Sequence, residues 1–191
     1  MKVEIPAKEL LAASRIANPR DARSVLQAVQ IVAENGYYEI RATDSYKALI
    51  FSGKIEGHHV EGSVLINVSE IKNAVKASDH MVKVEAEGLN VTLTPKTKKG
   101  ALRATITISG MEGNYPGMKQ LFEGEPAKDR GFSAAFDPGY MADVSAAIEK
   151  AYGKAPMKLE LRGDKKPCLI TARGPKEGSE CKALLMPMRI M

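Results

Sequence analysis

Ser63-Val64-Leu65-Ile66-Asn67-Val68-Ser69-Glu70-Ile71-Lys72-Asn73-Ala74-Val75-Lys76-Ala77-Ser78 holds the pattern that decides the fold. The apolar run from Ser63 to Val68 predicts a strand. Ser69 is an N-cap residue type, and a helix is expected from Glu70 to Ser78. Ile71, Ala74 and Val75 would face inward, while Lys72 and Lys76 share another face at i, i+4. Three strands are then expected: Met81 to Glu87, Val91 to Thr94, and Ala101 to Ile108. Their inward sets are Val82/Val84/Ala86, Val91/Leu93 and Leu102/Ala104/Ile106/Ile108. Alternation of period two indicates antiparallel sheet with one wet face.

The same order occurs upstream. Lys2-Val3-Glu4-Ile5 alternates as a strand, and Pro6 opens a helix expected to run from Ala7 to about Ala17. Leu10, Ala13, Ser14 and Ala17 form its inner face, with Lys8, Ala12 and Arg15 on another. Arg20 and Arg23 follow in a loop. Val25 to Ala33 turns at Asn35-Gly36, a hairpin signal because both residues accept positive φ. Tyr37 to Thr43 pairs back, Asp44-Ser45-Tyr46 turns, and Ala48 to Ile55 completes the set.

Downstream the order returns again. Phe132 to Phe136 reads as a strand, and Asp137-Pro138 joins an N-cap to a first-turn proline. The helix should reach Tyr152 with Tyr140, Met141, Val144, Ile148 and Ala151 inward. Strands are expected at Met157 to Arg162, Pro167 to Ala172 and Cys181 to Met188. The chain thus reads as α+β, with three repeated β-α-β-β-β units. Two units pair within 1–122 as a complete domain. Residues 123–130, at the end of a Gly-, Pro- and charge-rich stretch that begins at Met111, form a linker. Residues 131–191 hold the third unit alone. A unit with one amphipathic helix and one apolar sheet face must pack on another. A lone third unit is therefore expected to find its mate in a second copy of the chain.

Bulk properties narrow the function. The 191 residues are 44% hydrophobic and 27% charged, which suits a globular protein with a sizeable core. No apolar run is long enough for a membrane span. The start, MKVEIPAKELL, has no signal-peptide pattern, so a cytoplasmic protein with reduced, buried Cys168 and Cys181 is expected. Net charge is +5, with 16 Lys and Arg against 13 Asp and Glu in residues 1–122. That balance is compatible with nucleic acid as a partner. His58, His59 and His80 are scattered in loops, so no metal site or cofactor is expected. No P-loop, dinucleotide fingerprint or nucleophile elbow occurs. Thr43-Asp44-Ser45 reads as a turn, and Asp143 and Glu149 are spaced too far around their helix to form an acid/base pair. Catalysis is not expected. Lys96, Lys98 and Lys99 read as a solvated hairpin tip.

The tail, Leu184-Leu185-Met186-Pro187-Met188-Arg189-Ile190-Met191, carries a resemblance. It is very similar to the C-terminal signature of the bacterial DNA polymerase III β subunit, the sliding clamp. Phe136-Asp137-Pro138-Gly139-Tyr140-Met141-Ala142-Asp143-Val144 resembles that family's entry into its last helix. Arg41-Ala42-Thr43-Asp44-Ser45-Tyr46-Lys47-Ala48 resembles its Ala-Thr-Asp-Gly-His-Arg-Leu run, with Ser, Tyr and Lys replacing Gly, His and Arg. Gly113-Asn114-Tyr115-Pro116 resembles the exit from its middle domain. The resemblance covers the middle domain plus the second half of the last.

It implies the DNA clamp (processivity) fold, with basic helices lining a pore around double-stranded DNA bound without sequence preference. It also implies a cleft that captures peptides of a replicative polymerase or other proteins bearing a clamp-binding motif. Carried onto this chain, the cleft residues are Thr43, Ser45, Tyr46, Lys47, Ala48, Pro116, Leu121, Tyr140, Met186, Pro187, Met188 and Arg189. The expected DNA contacts are Lys8, Arg15, Arg20, Arg23, Lys72 and Lys76. A homo-oligomer is implied, a dimer or a tetramer, since a ring takes twelve such units. The alternative function is a regulator or decoy that binds clamp-binding peptides without encircling DNA.

Overall fold

A computed structural model of the protein describes residues 1–123, 134–163 and 165–188. Strand β1 (Lys2–Pro6) leads into helix α1 (Ala7–Ala13), and a short 3-10 turn at Ser24–Gln27 precedes β2 (Ala28–Glu34), β3 (Tyr37–Thr43) and β4 (Lys47–Lys54). The second unit comprises β5 (Gly62–Asn67), α2 (Val68–Ala74), β6 (Met81–Glu87), β7 (Asn90–Lys96) and β8 (Ile106–Ser109). After a short helix α3 (Met118–Phe122), the third unit contributes α4 (Pro138–Tyr152), β9 (Met157–Glu160), β10 (Cys168–Arg173) and β11 (Glu180–Leu185).

The first two units exchange their opening strands. β1 pairs antiparallel with β6, and β5 pairs antiparallel with β2. This gives a four-stranded sheet β1-β6-β7-β8 and a larger one that begins β5-β2-β3-β4. The β2–β3 hairpin closes at Asn35 and Gly36, with φ of 52° and 76°, as a two-residue turn of the right twist requires.

The third unit corrects one expectation. It is not without a partner in its own chain. β11 pairs along β4, from Glu180 opposite Ser52 to Leu185 opposite Lys47, so the larger sheet has seven strands ending β4-β11-β10-β9. α4 packs on α1. One core joins all three units, with Leu10, Ile40, Phe51, Ile71, Val84, Val144, Ile148 and Ile170 in a single apolar cluster. A smaller cluster of Ala48, Ile50, Met118, Leu169 and Leu184 lies apart from it, joined by Tyr115 and Phe122.

Several expected boundaries shift for identifiable reasons. α1 stops at Ala13, not Ala17: the Ser14 hydroxyl donates to the Leu10 carbonyl, and the next amides tighten onto carbonyls three residues back. Asn67, not Ser69, caps α2, its side chain accepting from the Ser69 amide. The strand expected from Ala101 begins only at Ile106, leaving Leu102 and Ala104 exposed, not inward. Opposite them is Pro95, which accepts from the Arg103 amide but has no N–H to return. Lys96 is part of β7 and pairs with Glu4, so it is no solvated tip. The stretch from Met111, read as linker, contains α3; of residues 123–130 only Glu123 is described. The expected strand at Phe132 to Phe136 lies partly outside the described residues, and Arg189 lies outside them altogether.

Candidate peptide cleft and helix face

The cleft residues are brought together where the first and third units meet. The β3–β4 turn is held by its own side chains. Asp44 Oδ1 accepts from the amides of Tyr46 (3.0 Å) and Lys47 (2.9 Å), and the Thr43 hydroxyl donates to the Lys47 carbonyl at 2.9 Å. Ser45 sits at φ 80°, a left-handed conformation that a non-glycine residue rarely adopts. The turn thereby lifts Tyr46 into solvent, 58% exposed.

The third unit supplies the opposite wall. Asp137 caps α4, accepting from Gly139 at 2.7 Å and Tyr140 at 3.0 Å, which fixes Tyr140 in the first turn. The rings of Tyr46 and Tyr140 stack with centroids 5.6 Å apart. Lys47 runs beneath them, its ammonium 4.7 Å from the Tyr140 ring centre, 2.5 Å from Asp44 and 3.3 Å from Asp143. Burial alone would lower the Lys47 pKa, but the hydrogen bonds and charges of Asp44 and Asp143 outweigh it and hold the pKa above the usual lysine value. Lys47 therefore stays charged, and its two carboxylates neutralise it.

The tail closes the third side. The Met186 amide donates to the Tyr46 carbonyl at 2.9 Å, and the Met188 amide to Ala135 at 2.8 Å. Met186 and Met188 are 40% and 52% exposed. α3 flanks the same end of the sheet: Met118 is fully buried with Ala48 and Leu184, while Leu121 is exposed. The Tyr115 hydroxyl anchors the approach to α3 on the carbonyls of Ala28 and Arg41. Arg162 donates to the carbonyls of Phe122 and Glu123 at its far end. Pro116 lies half-buried between these anchors. The result is an exposed aromatic and methionine surface over a dry apolar floor, with few free charges. Such a surface fits an extended peptide with aliphatic or aromatic anchors.

Leu184, Leu169, Met118, Asp44 and Asp143 belong to this site and were not among the expected residues. Tyr115, Met118 and Phe122 follow helical spacing, a signal that could have revealed α3.

The expected DNA residues divide. Lys8, Arg15, Lys72 and Lys76 are all exposed on α1 and α2 or just beyond their ends. Lys150 of α4 joins them: burial and then the positive charges of Arg15 and Lys72 lower its pKa, so cations from three helices converge. Arg20 is exposed in the loop beyond. Arg23 is placed differently. Its guanidinium pairs with Asp21 at 3.0 Å and donates to the Ser45 hydroxyl at 2.9 Å, at the rim of the cleft.

At the opposite end of the β4–β11 pair lies a cavity of about 780 Å³ lined by Glu4, Tyr38, Gly53, Lys54, Lys176 and Ser179, among others. Beside it, Glu9 is 4% exposed and accepts from the Tyr38 hydroxyl at 2.9 Å. Burial pushes its pKa up to about 7, against the opposing effects of Tyr38 and Lys176. Among the described residues, no group of three or more His, Cys, Asp or Glu could hold a metal ion, and no helix is long and apolar enough to cross a membrane.

No protein-family model and no curated protein sequence matches the chain. Solved structures do. The beta subunit from the DNA polymerase of Streptococcus pyogenes superposes with a TM-score of 0.76 at 14% identity, over 100% of this chain and 66% of that one. The DNA polymerase sliding clamp from Bacillus subtilis gives 0.72 at 17% identity, over 100% and 65%. The DNA polymerase III beta subunit from Thermotoga maritima gives 0.71 at 14%, over 100% and 66%. The fold is that of the sliding clamps, and this chain spans just under two thirds of their length.

Proposed function

We propose that the protein is a clamp-like tether: it captures partner peptides in the cleft at Tyr140 and holds them near double-stranded DNA through its helix face. One observation carries this reading. A turn of the first unit, the start of α4 and the tail converge on Tyr140 to expose an apolar surface whose buried charge is already neutralised. The partners it fits are a replicative polymerase or other proteins bearing an extended motif with aliphatic and aromatic anchors. The cations of α1, α2 and α4 suit phosphate contact without base readout. Similarity of fold to the clamps supports assembly with further copies of the chain.

Fluorescence anisotropy with a labelled peptide carrying leucine and phenylalanine anchors tests the cleft. Tyr140→Ala and deletion of Met186–Met191 should each abolish capture; retention by both sinks the assignment. DNA association should be independent of sequence and weaken with salt. Lys72→Glu with Lys76→Glu should lower the logarithmic salt slope by roughly two, one for each phosphate no longer neutralised. A second reading, a decoy that keeps the cleft but does not encircle DNA, is favoured by Arg23, an expected DNA contact that instead pairs with Asp21 and Ser45 at the cleft rim. Retention on closed circular DNA that is lost on linearisation separates the two.

A further inference from the structure

Tyr140 is the ring on which the cleft converges, and that ring is already engaged by two of the chain's own residues. Lys47 holds its ammonium 4.7 Å from the ring centre. This contact is fixed, because Lys47 is 6% exposed and lies between Asp44 and Asp143. The Tyr46 ring stacks on Tyr140 with centroids 5.6 Å apart and planes inclined by 21°. This second contact is the one that can yield, since Tyr46 is 58% exposed. A partner side chain that is to stack on Tyr140 therefore has to take the place of the Tyr46 ring. We propose that Tyr46 is a gate on the cleft: its ring occupies the seat of the partner's anchor, and a captured peptide swings it out into solvent. This inference rests on the peptide-capture part of the proposed function and adds its regulation.

The backbone beneath the gate separates a fixed frame from a movable ring. The Tyr46 amide donates to Asp44 Oδ1 at 3.0 Å, and the Tyr46 carbonyl accepts from the Met186 amide at 2.9 Å. Ser45, at φ 80°, sets the turn just before it. Rotation about the side-chain bonds is thus the freedom left to Tyr46, and exposed side chains change rotamer within nanoseconds. An aromatic stack of this kind shifts an equilibrium by about two- to twelve-fold. The open form is therefore the minor one, and a peptide that needs it binds more weakly by the same factor. Leucine and phenylalanine anchors are affected alike, because both break the same stack. The gate sets a threshold of affinity without choosing between anchors. While closed, it also shields Tyr140 from weak apolar contacts. Tyr46 stands where the run this segment resembles has histidine, so the stack belongs to this chain's own residue.

Fluorescence anisotropy on the full chain tests the gate with two labelled peptides. One carries leucine and phenylalanine anchors, and in the other leucine replaces the phenylalanine. Tyr46→Ala should tighten both by the same factor, about two- to twelve-fold. Tyr46→Phe keeps the ring and should bind both as the parent does. Unchanged or weaker binding by Tyr46→Ala, with parental binding intact, overturns the gate but leaves the cleft standing. A gain confined to one peptide overturns it too, since breaking one stack must weaken both. Proton chemical shifts of the Tyr46 ring give a measurement that needs no peptide. Stacked on Tyr140, they should lie upfield of solvated tyrosine, and Tyr140→Ala should move them to the solvated position. Saturating peptide should do the same in the parent. Solvated shifts in the parent without peptide overturn the gate by themselves. Capture by neither the parent nor Tyr46→Ala overturns the proposed function and the gate together.

Discussion

The two ends of the β4–β11 pair meet the same problem, a buried ionisable group at the junction of two units, and solve it in opposite ways. At the cleft end, Lys47 is 6% exposed but lies between Asp44 and Asp143 and under the Tyr140 ring, so it keeps its charge. At the cavity end, Glu9 has one neutral donor, Tyr38, and a more distant Lys176, so it gives up its charge near neutral pH. Close by, the Tyr152 hydroxyl is buried with no hydrogen-bond partner. Burial therefore does not by itself decide ionisation here; the number of opposite charges within reach does. The cleft end is electrostatically finished and can present an apolar surface. The cavity end is left responsive to pH.

The largest expected effect breaks the finished end. Lys47→Ala leaves buried Asp44 without its cation, while Asp143, 42% exposed, can turn to water, so the loss falls at the low end for a buried ion group, about 3 kcal/mol. A urea titration should show that fall, and peptide capture should disappear alongside it. An unchanged midpoint would mean the carboxylates relax into water and the cleft end is not rigid. Next is the responsive end. The Glu9 pKa is raised in the folded state, so the stability it confers is fully present below the unfolded value of 4.5 and is lost as pH rises through about 7. The shift corresponds to about 3 kcal/mol, and Glu9→Gln should flatten the pH dependence of the urea midpoint over that window. Identical profiles for the two proteins would remove Glu9 from the account. Gly53→Ala sharpens the comparison further. A Cβ there would stand 2.5 Å from the Tyr38 hydroxyl, pushing the ring off Glu9. Overpacking of this kind costs about 2 kcal/mol, and the substitution should also blunt the pH response. Smallest is Tyr152→Phe, which removes the unpartnered hydroxyl and should raise stability by about 1 kcal/mol, measured by the same titration.

What could be read from the residues alone follows the same divide between local and distant causes. The Asp137-Pro138 start of α4, the Asn35-Gly36 hairpin and the alternation of Val82, Val84, Val91 and Leu93 are written in adjacent positions, and the structure places them as expected. The residues around Thr43 to Ala48 and Tyr140 were singled out through resemblance, and the structure brings them together at the Tyr46–Tyr140 stack; their peptide-binding role belongs to the proposed function. The pairing of β11 with β4 was not legible, because nothing in either strand names its partner and the swapped openings of the first two units offer a competing precedent. The roles of Asp143 and Lys150 were hidden for the same reason: each acts on a residue of the first unit, across a helix packing that periodicity does not specify. α3 was missed because glycine and proline around it outweighed the spacing of Tyr115, Met118 and Phe122.

The exchange of opening strands also sets an order for synthesis. The N-terminal amine of Met1 is held by the Ala86 carbonyl, 85 positions later, and the outer side of β4 is bonded through Ser52 to Glu180, 128 positions later. During translation the β2–β3–β4 meander can form early, but β1 waits for β6 and β4 waits for β11. Contacts so far apart slow folding, since the intervening loop must close before they form. A nascent chain halted before β6 would carry two waiting strands, β1 and β4, and one halted between Ala86 and Glu180 would still carry the open edge of β4, where chaperones that shield such edges would find their longest engagement.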